Sequence, residues 1–314
     1  MHIDRSRNGD NHACMSGQLY DAAIIGGGAA GLSAALVLGR SCRRVMLFDD
    51  GRPRNAVATE MHGFITRDGT PPAEILRIAH EELRRYPGVE FVPQHVAQAQ
   101  RDGDAFTVQT AEGTQIRARR VLLATGLYDA LPEIAGIRER WGKRVFVCPY
   151  CDGWEVRERR IAVIGRGAAA VALAQELYQW SADLLICTQG EPAGEYEQRW
   201  IEAVGAAVRG ERVIAFEDGE LHFQGGARER YDAAFLCAPL RQRYPLVEML
   251  GCRIRENGEI AVDDRGRASA PGVYAAGDAV TAIHQVVLAA ATGVRAAMAI
   301  NQDHIEEDVR AMSR

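Results

Sequence analysis

The chain of 314 residues has no long block of like charge; 37 Lys and Arg stand against 42 Asp and Glu, for a net charge of −5. That distribution lacks the basic footprint by which proteins hold nucleic acid or an anionic membrane, and points to proteins or small molecules as partners. No second CxxC and no HxxxH partners the single close cysteine pair, Cys148 and Cys151 in "VCPYCDGWE", so the ligand count of a structural zinc site is not met and no metal is expected. Prolines are few, 11 against 32 glycines, a balance suited to tight strand-to-helix turns. An uninterrupted membrane span is also missing. The apolar run Ala22–Gly39 follows Arg5 and Arg7, but Asp21 abuts it, three glycines break it and Arg40, Arg43 and Arg44 follow, so no membrane or targeting segment is expected.

What is present is a hydrophobic content of 47%, enough for sizeable cores, in a length that favours about two domains. Seven cysteines, at 14, 42, 148, 151, 187, 237 and 252, are an odd number in mostly apolar or loop-like surroundings, which is cytoplasmic usage. A disulfide across so short a loop removes little entropy from the unfolded chain, so a structural staple is a poor explanation of Cys148 and Cys151. Redox cycling is the leading reading of that pair.

The broken apolar run reads as a strand, Ala22–Ile25, turning at Gly26-Gly27-Gly28 into a helix from Ala29. Gly26, Gly28 and Gly31, with Ala29 and Ala30 between them, fit G-x-G-x-x-G, and the next strand, "RVMLFDD", carries Asp49 where a ribose carboxylate belongs. Glycines admit a pyrophosphate to the open N–H groups of the helix, and the carboxylate takes ribose hydroxyls. A second copy, "RIAVIGRGAAAVALAQELYQWSADLLICTQ", places Gly165, Gly167 and Ala170 in the glycine positions. There Thr188 stands where the first copy has Asp49, Arg166 replaces the middle glycine, and no Lys or Arg from Cys187 to Glu197 is available for a 2′-phosphate. The second copy thus keeps the pattern of a nicotinamide-nucleotide unit without either device that selects the nucleotide, and whether it takes NAD(P)H stays open.

In combination, "IIGGGAAG", "LLATG", "CPYCDG", "VIGRGAAA" and "GVYAAGDAVTAIHQVVLAAATG" resemble the low-molecular-weight thioredoxin reductase family from Tyr20 to Asn301. The resemblance implies an α/β fold of two Rossmann-like, three-layer ββα nucleotide-binding domains, the second inserted into the first. A loose tail, 1–19, with Met15 as an alternative start, would precede an FAD-binding domain of 20–128 and 240–314. Residues 129–239 would form the NAD(P)H-domain-like insert with the redox pair, hinged near 127–130 and 239–241. By the same resemblance Thr125, Gly126, Gly277, Asp278, Gln285 and Val286 join Gly26, Gly28, Ala29, Ala30, Gly31 and Asp49 around FAD. Cys151 would be the thiol nearer the flavin, Cys148 the one that exchanges with substrate, and Asp152 the general acid for the leaving thiolate, its carboxyl raised by burial. A thioredoxin-like protein or a small disulfide or dithiol is the implied substrate, in a cytoplasmic homodimer.

The departures leave three readings. One is an FAD-dependent disulfide reductase fed by NAD(P)H or by another donor such as ferredoxin. Another is an oxygen-using dithiol oxidase, and a third is a flavin-binding sensor without turnover. Arg52 and Arg54 are further candidates for the adenosine end of FAD. His62 reads as facing the flavin or as a loop cap, and His284 stands where the family commonly has Arg. Tyr150 and Trp154 shape the substrate approach or pack the loop. "PPAEILRIAHEELRRY" predicts an amphipathic helix opened by proline.

Overall fold

The computed structural model describes residues 18–313. The alternative start at Met15, Cys14 and most of the expected tail lie outside that range, and Leu19 already opens the first strand. The described chain divides into two compact units, one of residues 18–52, 79–126 and 243–313 and one of residues 53–78 and 127–242. The helix Pro72–Leu83, with proline in its first turn, spans the second division point.

In the first unit four consecutive parallel positions, in the order Val89–Val92, Val45–Phe48, Leu19–Ile25 and Gln115–Leu123, are extended by Val273–Ala275, which pairs in parallel with the far end of Gln115–Leu123. The near end of that long strand pairs instead with an antiparallel hairpin, Val96–Asp102 and Ala105–Thr110. Residues of alternate parity in the central strands are all buried, as a sheet covered on both faces demands. Ala23, Ile25, Met46 and Phe48 enter one core with Phe106, Val108, Leu246 and Val247. Helix Ala29–Arg40 packs on the strands and against the 27-residue helix Val286–Met312. The two helices meet so closely that a Cβ on Gly293 would lie 2.0 Å from the Ala30 carbonyl oxygen.

In the second unit the parallel order is Ala207–Arg209, Leu184–Cys187, Ile161–Ile164, Ala233–Leu236, Val145–Phe146. Alternation sorts its side chains into two cores. Ile161, Val163, Ile186 and Phe235 pack with Val171, Ala174 and Leu177 of helix Gly167–Leu177. Ala162, Ile164, Leu185 and Leu236 pack instead with Phe216, Leu221 and Phe223, which come from the antiparallel meander Val213–Glu217, Glu220–Phe223, Arg228–Arg230. Meander, sheet and helix make the three layers of a ββα arrangement. Leu127–Asp129 and Leu240–Gln242 pair as a two-stranded antiparallel ribbon where the chain enters and leaves this unit. The loop Pro53–Thr70 is fastened to the same unit. Nε and Nη2 of Arg54 donate to Asp129 at 2.7 and 2.6 Å, and the Val57 carbonyl oxygen lies where a Cβ on Gly142 would come.

Candidate active site

The glycine turn of the first unit is set by backbone geometry that only glycine tolerates. Gly26 has φ 110°, and a Cβ there would sit 2.2 Å from the Ala124 carbonyl oxygen; on Gly31 it would sit 1.8 Å from that of Gly26. The strand Leu19–Ile25 can therefore run straight into helix Ala29–Arg40, whose first turn has neither an acidic residue nor a side-chain cap. A Cβ on Gly28, the residue before that helix, would meet nothing within 4 Å, so the helix opens on space. Asp49 is held at this turn by the Gly27 N–H, which donates to its Oδ1 at 3.0 Å. Open amides with a carboxylate beside them fit the pyrophosphate and ribose of a dinucleotide.

The remaining candidates of this unit come to loops that follow strands of the same sheet. Thr125 and Gly126 follow the strand ending at Leu123; Gly277 and Asp278 lie in the 3₁₀ turn Gly277–Val280 that follows Val273–Ala275. Gln285 is the N-cap of helix Val286–Met312 and Val286 its first residue. Sequence reasoning missed Thr292, whose hydroxyl accepts from the Gly277 N–H at 2.8 Å and donates to the Ala289 carbonyl at 2.8 Å, so one side chain ties the turn to the helix. Its place in "AAATG" was the available signal. His284 keeps Nε2 buried without a partner among the described residues, a polar atom suited to a ligand group. Arg52 is engaged by Asp50 at 2.6 Å and by Tyr244.

The close cysteine pair lies in the other unit. Cys148 and Cys151 are joined as a disulfide across one short helical turn, Pro149–Asp152, for which Cys148 is the N-cap. Its carbonyl accepts from the N–H groups of both Cys151 and Asp152, and Gly153 packs under the Trp180 ring. Tyr150 and Trp154 are 69% and 63% exposed, so they flank the disulfide at the surface; Tyr150 meets Trp180 edge-on and Arg157 covers Trp154. Asp152 is pushed up to about 6, first by burial and then by the charge of Glu155, against which His62 acts. His62 stands 3.6 Å from Glu155, 3.5 Å from Asp68 and 3.9 Å from Glu60.

The second glycine motif differs from the first in backbone: Gly165 lacks the positive φ of Gly26, and Gly167, at φ 45°, is already the first residue of its helix, where Gly28 is the cap of the first. The N–H of Gly167, first residue of its helix, donates to the Thr188 carbonyl at 3.3 Å. Arg166, the N-cap, pairs with Glu191 at 2.7 Å, and Pro192 and Glu191 lie against the place of a Gly167 Cβ. The Glu191 carboxylate thus lies beside the second glycine turn. Ala170 is buried in the helix, and Gln189, at φ 55°, keeps its side-chain nitrogen buried without a partner among the described residues. Next to Gly165, Cys237 is held as a thiol, pushed up to about 11 by burial, and burial likewise pushes Cys187 up to about 12.

Among the described residues no group of three or more His, Cys, Asp or Glu is arranged to hold a metal ion, and no helix is long and apolar enough to cross a membrane.

Comparison with known proteins places this architecture. Residues 20–293 match the family model of the pyridine nucleotide-disulphide oxidoreductases. The thioredoxin reductase tcpT of Claviceps purpurea (strain 20.1) is 32% identical over 277 residues, covering 83% of this chain and 86% of the relative. The solved structure of the putative thioredoxin reductase TrxB from Bacillus anthracis is 34% identical with a TM-score of 0.88, covering 92% of this chain and 99% of its own. That of HlmI is 37% identical with a TM-score of 0.90, covering 97% and 98%. The protein is therefore an enzyme of the pyridine nucleotide-disulphide oxidoreductase family, an oxidoreductase of the thioredoxin reductase-like kind.

Proposed function

We propose that the protein is an FAD-dependent thiol–disulfide oxidoreductase that exchanges electrons with a substrate disulfide or dithiol through Cys148 and Cys151. The observation that carries the reading is a disulfide on a half-buried helical turn, followed directly in the chain by Asp152, a half-buried carboxyl of raised proton affinity. FAD would be held by the open amides after Gly28, by Asp49, and by the loops of Thr125–Gly126, Gly277–Asp278 and Gln285–Val286; when bound it supplies a two-electron partner for the dithiol. The chain's own part is thiol chemistry. A substrate thiolate attacks Cys148, the Cys148–Cys151 bond breaks, and Cys151 leaves as a thiolate that takes the proton of Asp152. A second substrate thiolate then releases Cys148, so that two electrons enter the pair and the substrate leaves as a disulfide. Run backwards, the same steps reduce a substrate disulfide. A thioredoxin-like protein or a small dithiol fits the turn as substrate, and the named activity of tcpT agrees with this class of chemistry.

One feature favours electron entry other than from a nicotinamide nucleotide: Glu191 and Arg166 stand at the second glycine turn, and Thr188 replaces the ribose carboxylate. Entry from a substrate dithiol, with oxygen as final acceptor, or from another donor such as ferredoxin, is the alternative this supports. Anaerobic addition of NADPH, then NADH, then dithiothreitol to the purified protein, followed by flavin absorbance, tests both levels. Bleaching by dithiothreitol that is lost in Cys148→Ser is the expected result. A protein that takes up no flavin, or a Cys148→Ser variant that bleaches like the wild type, overturns the proposal.

A further inference from the structure

His62 lies 90 residues before Asp152 in sequence, yet the second unit holds it in place through its own contacts. Met61 is buried and bridges Thr70, with N–H···O bonds of 3.0 Å from Met61 to Thr70 and 2.9 Å from Gly69 to Met61. Asp68 accepts from the Gly63 N–H at 2.9 Å, closing the small hairpin around the histidine. The chain leading into it is clamped by the Arg54–Asp129 fork. The imidazole is 22% exposed, with Nδ1 toward Asp68 and Nε2 toward both Glu155 and Glu60. Glu155 follows Asp152 by three residues in the same loop, and the imidazole of the hairpin stands 3.6 Å from it, with Glu60 and Asp68 also next to that imidazole.

We infer that His62 is a positioning residue for proton delivery at the disulfide, acting with Glu155 as an opposed pair that sets when Asp152 carries a proton. The inference rests on the thiol–disulfide reading above and names a residue which that reading does not need. The physics is a balance of two charges. The Glu155 carboxylate disfavours a second negative charge nearby, so it keeps the proton on Asp152, and His62 acts against it. The proton is spent when the substrate thiolate breaks the Cys148–Cys151 bond and Cys151 departs. It returns from solvent, to which His62 is partly open, before the next exchange.

The test uses the full-length protein and dithiothreitol as the thiol. Reduction of Cys148–Cys151 is followed by acid quench, alkylation and mass spectrometry from pH 5 to 9, and each rate is divided by the thiolate concentration of the reagent. In parallel the Asp152 carboxyl carbon is titrated by ¹³C NMR, assigned by its loss in Asp152→Asn. In the wild type the rate per thiolate falls with rising pH as Asp152 loses its proton. His62→Gln removes the group that opposes Glu155 and moves the midpoint of both curves up, by roughly half a pH unit for a partly solvated pair. Glu155→Gln moves both down by a similar amount, and His62→Arg, which carries a positive charge, does not move them up. A loss of packing alone would shift the two neutral variants in the same direction or not at all. Midpoints unmoved in both variants, or moved the same way, overturn the inference. If His62→Gln does not fold, Glu155→Gln decides, because a downward shift is required of it. If the wild-type disulfide resists dithiothreitol at every pH, the thiol–disulfide reading itself fails, and the NMR midpoints still decide the role of His62.

Discussion

Asp152 shows what a single half-buried carboxyl costs and what it makes possible. Folding raises its proton affinity above that of an ordinary aspartate, to about 6, so the native state binds a proton that the unfolded chain releases from about pH 4 upward. Stability contributed by this group is therefore present below pH 4 and is lost as pH rises through 6. Asp152→Asn should be more stable than the wild type at pH 8 by about 1–3 kcal/mol, with the advantage gone by pH 4, while the rate of disulfide exchange falls. Urea unfolding at the two pH values checks the first statement and dithiothreitol reduction the second. The residues that sequence made legible here are those adjacent in the chain, Cys148, Cys151 and Asp152. His62 was legible as facing the flavin or as a loop cap and not as a neighbour of Glu155, because nothing in "MHGF" states that a hairpin anchored by Arg54 and Met61 delivers it there.

At the scale of elements the two strand–turn–helix copies share the order of their parts and differ in what meets the helix. Helix Ala29–Arg40 opens on unfilled space with Asp49 at hand, whereas helix Gly167–Leu177 opens on Glu191 and Arg166. A carboxylate at a helix start competes with an incoming phosphate for the same dipole and amides. Replacing both, Arg166→Gly with Glu191→Ala, should raise affinity for NADH or NADPH at least about tenfold, as measured by calorimetric titration. Unchanged affinity would mean that the ion pair does not guard the turn. Periodicity and glycine spacing made both copies legible, including the helix start at Ala29, and the exchange of Asp49 for Thr188 was visible by simple alignment. Glu191 was not, because its role depends on the turn at Gln189 and Gly190, both at positive φ, which bends the chain back over Gly167. The strand Gln115–Leu123 stops two residues before Thr125, where the backbone leaves the ladder to pass the Gly26 turn.

For the molecule as a whole, the first unit is closed by the last helix. His304, fully buried, bonds through Nε2 to the Asp21 carbonyl at 3.0 Å, while Arg119 reaches Glu307 and Asp308, and Arg120 pairs with Glu307. Burial first, then Arg119 and Arg120, depress the proton affinity of His304, with Asp21 opposing. Below pH 6.5 the unfolded chain binds a proton that the folded chain refuses, so this group destabilises the fold as pH falls and has no effect above that range. His304→Gln keeps a donor for the Asp21 carbonyl without the titration. Its stability should fall less steeply between pH 6.5 and 5, by up to about 1.4 kcal/mol per pH unit, measured by denaturant unfolding; parallel slopes would place the acid sensitivity elsewhere.

The interleaving of the two units also sets an order of birth. Every strand of the second unit has been synthesised once Gln242 is in the chain, but the first unit still lacks Val273–Ala275 and the helix Val286–Met312. At ~5–20 residues per second the ribosome needs roughly ten seconds more to supply them. During that interval the nascent protein carries a finished Cys148–Cys151 turn and an unfinished first unit, so the cysteine turn is assembled before the loops around Gly26 and Gly277 can meet.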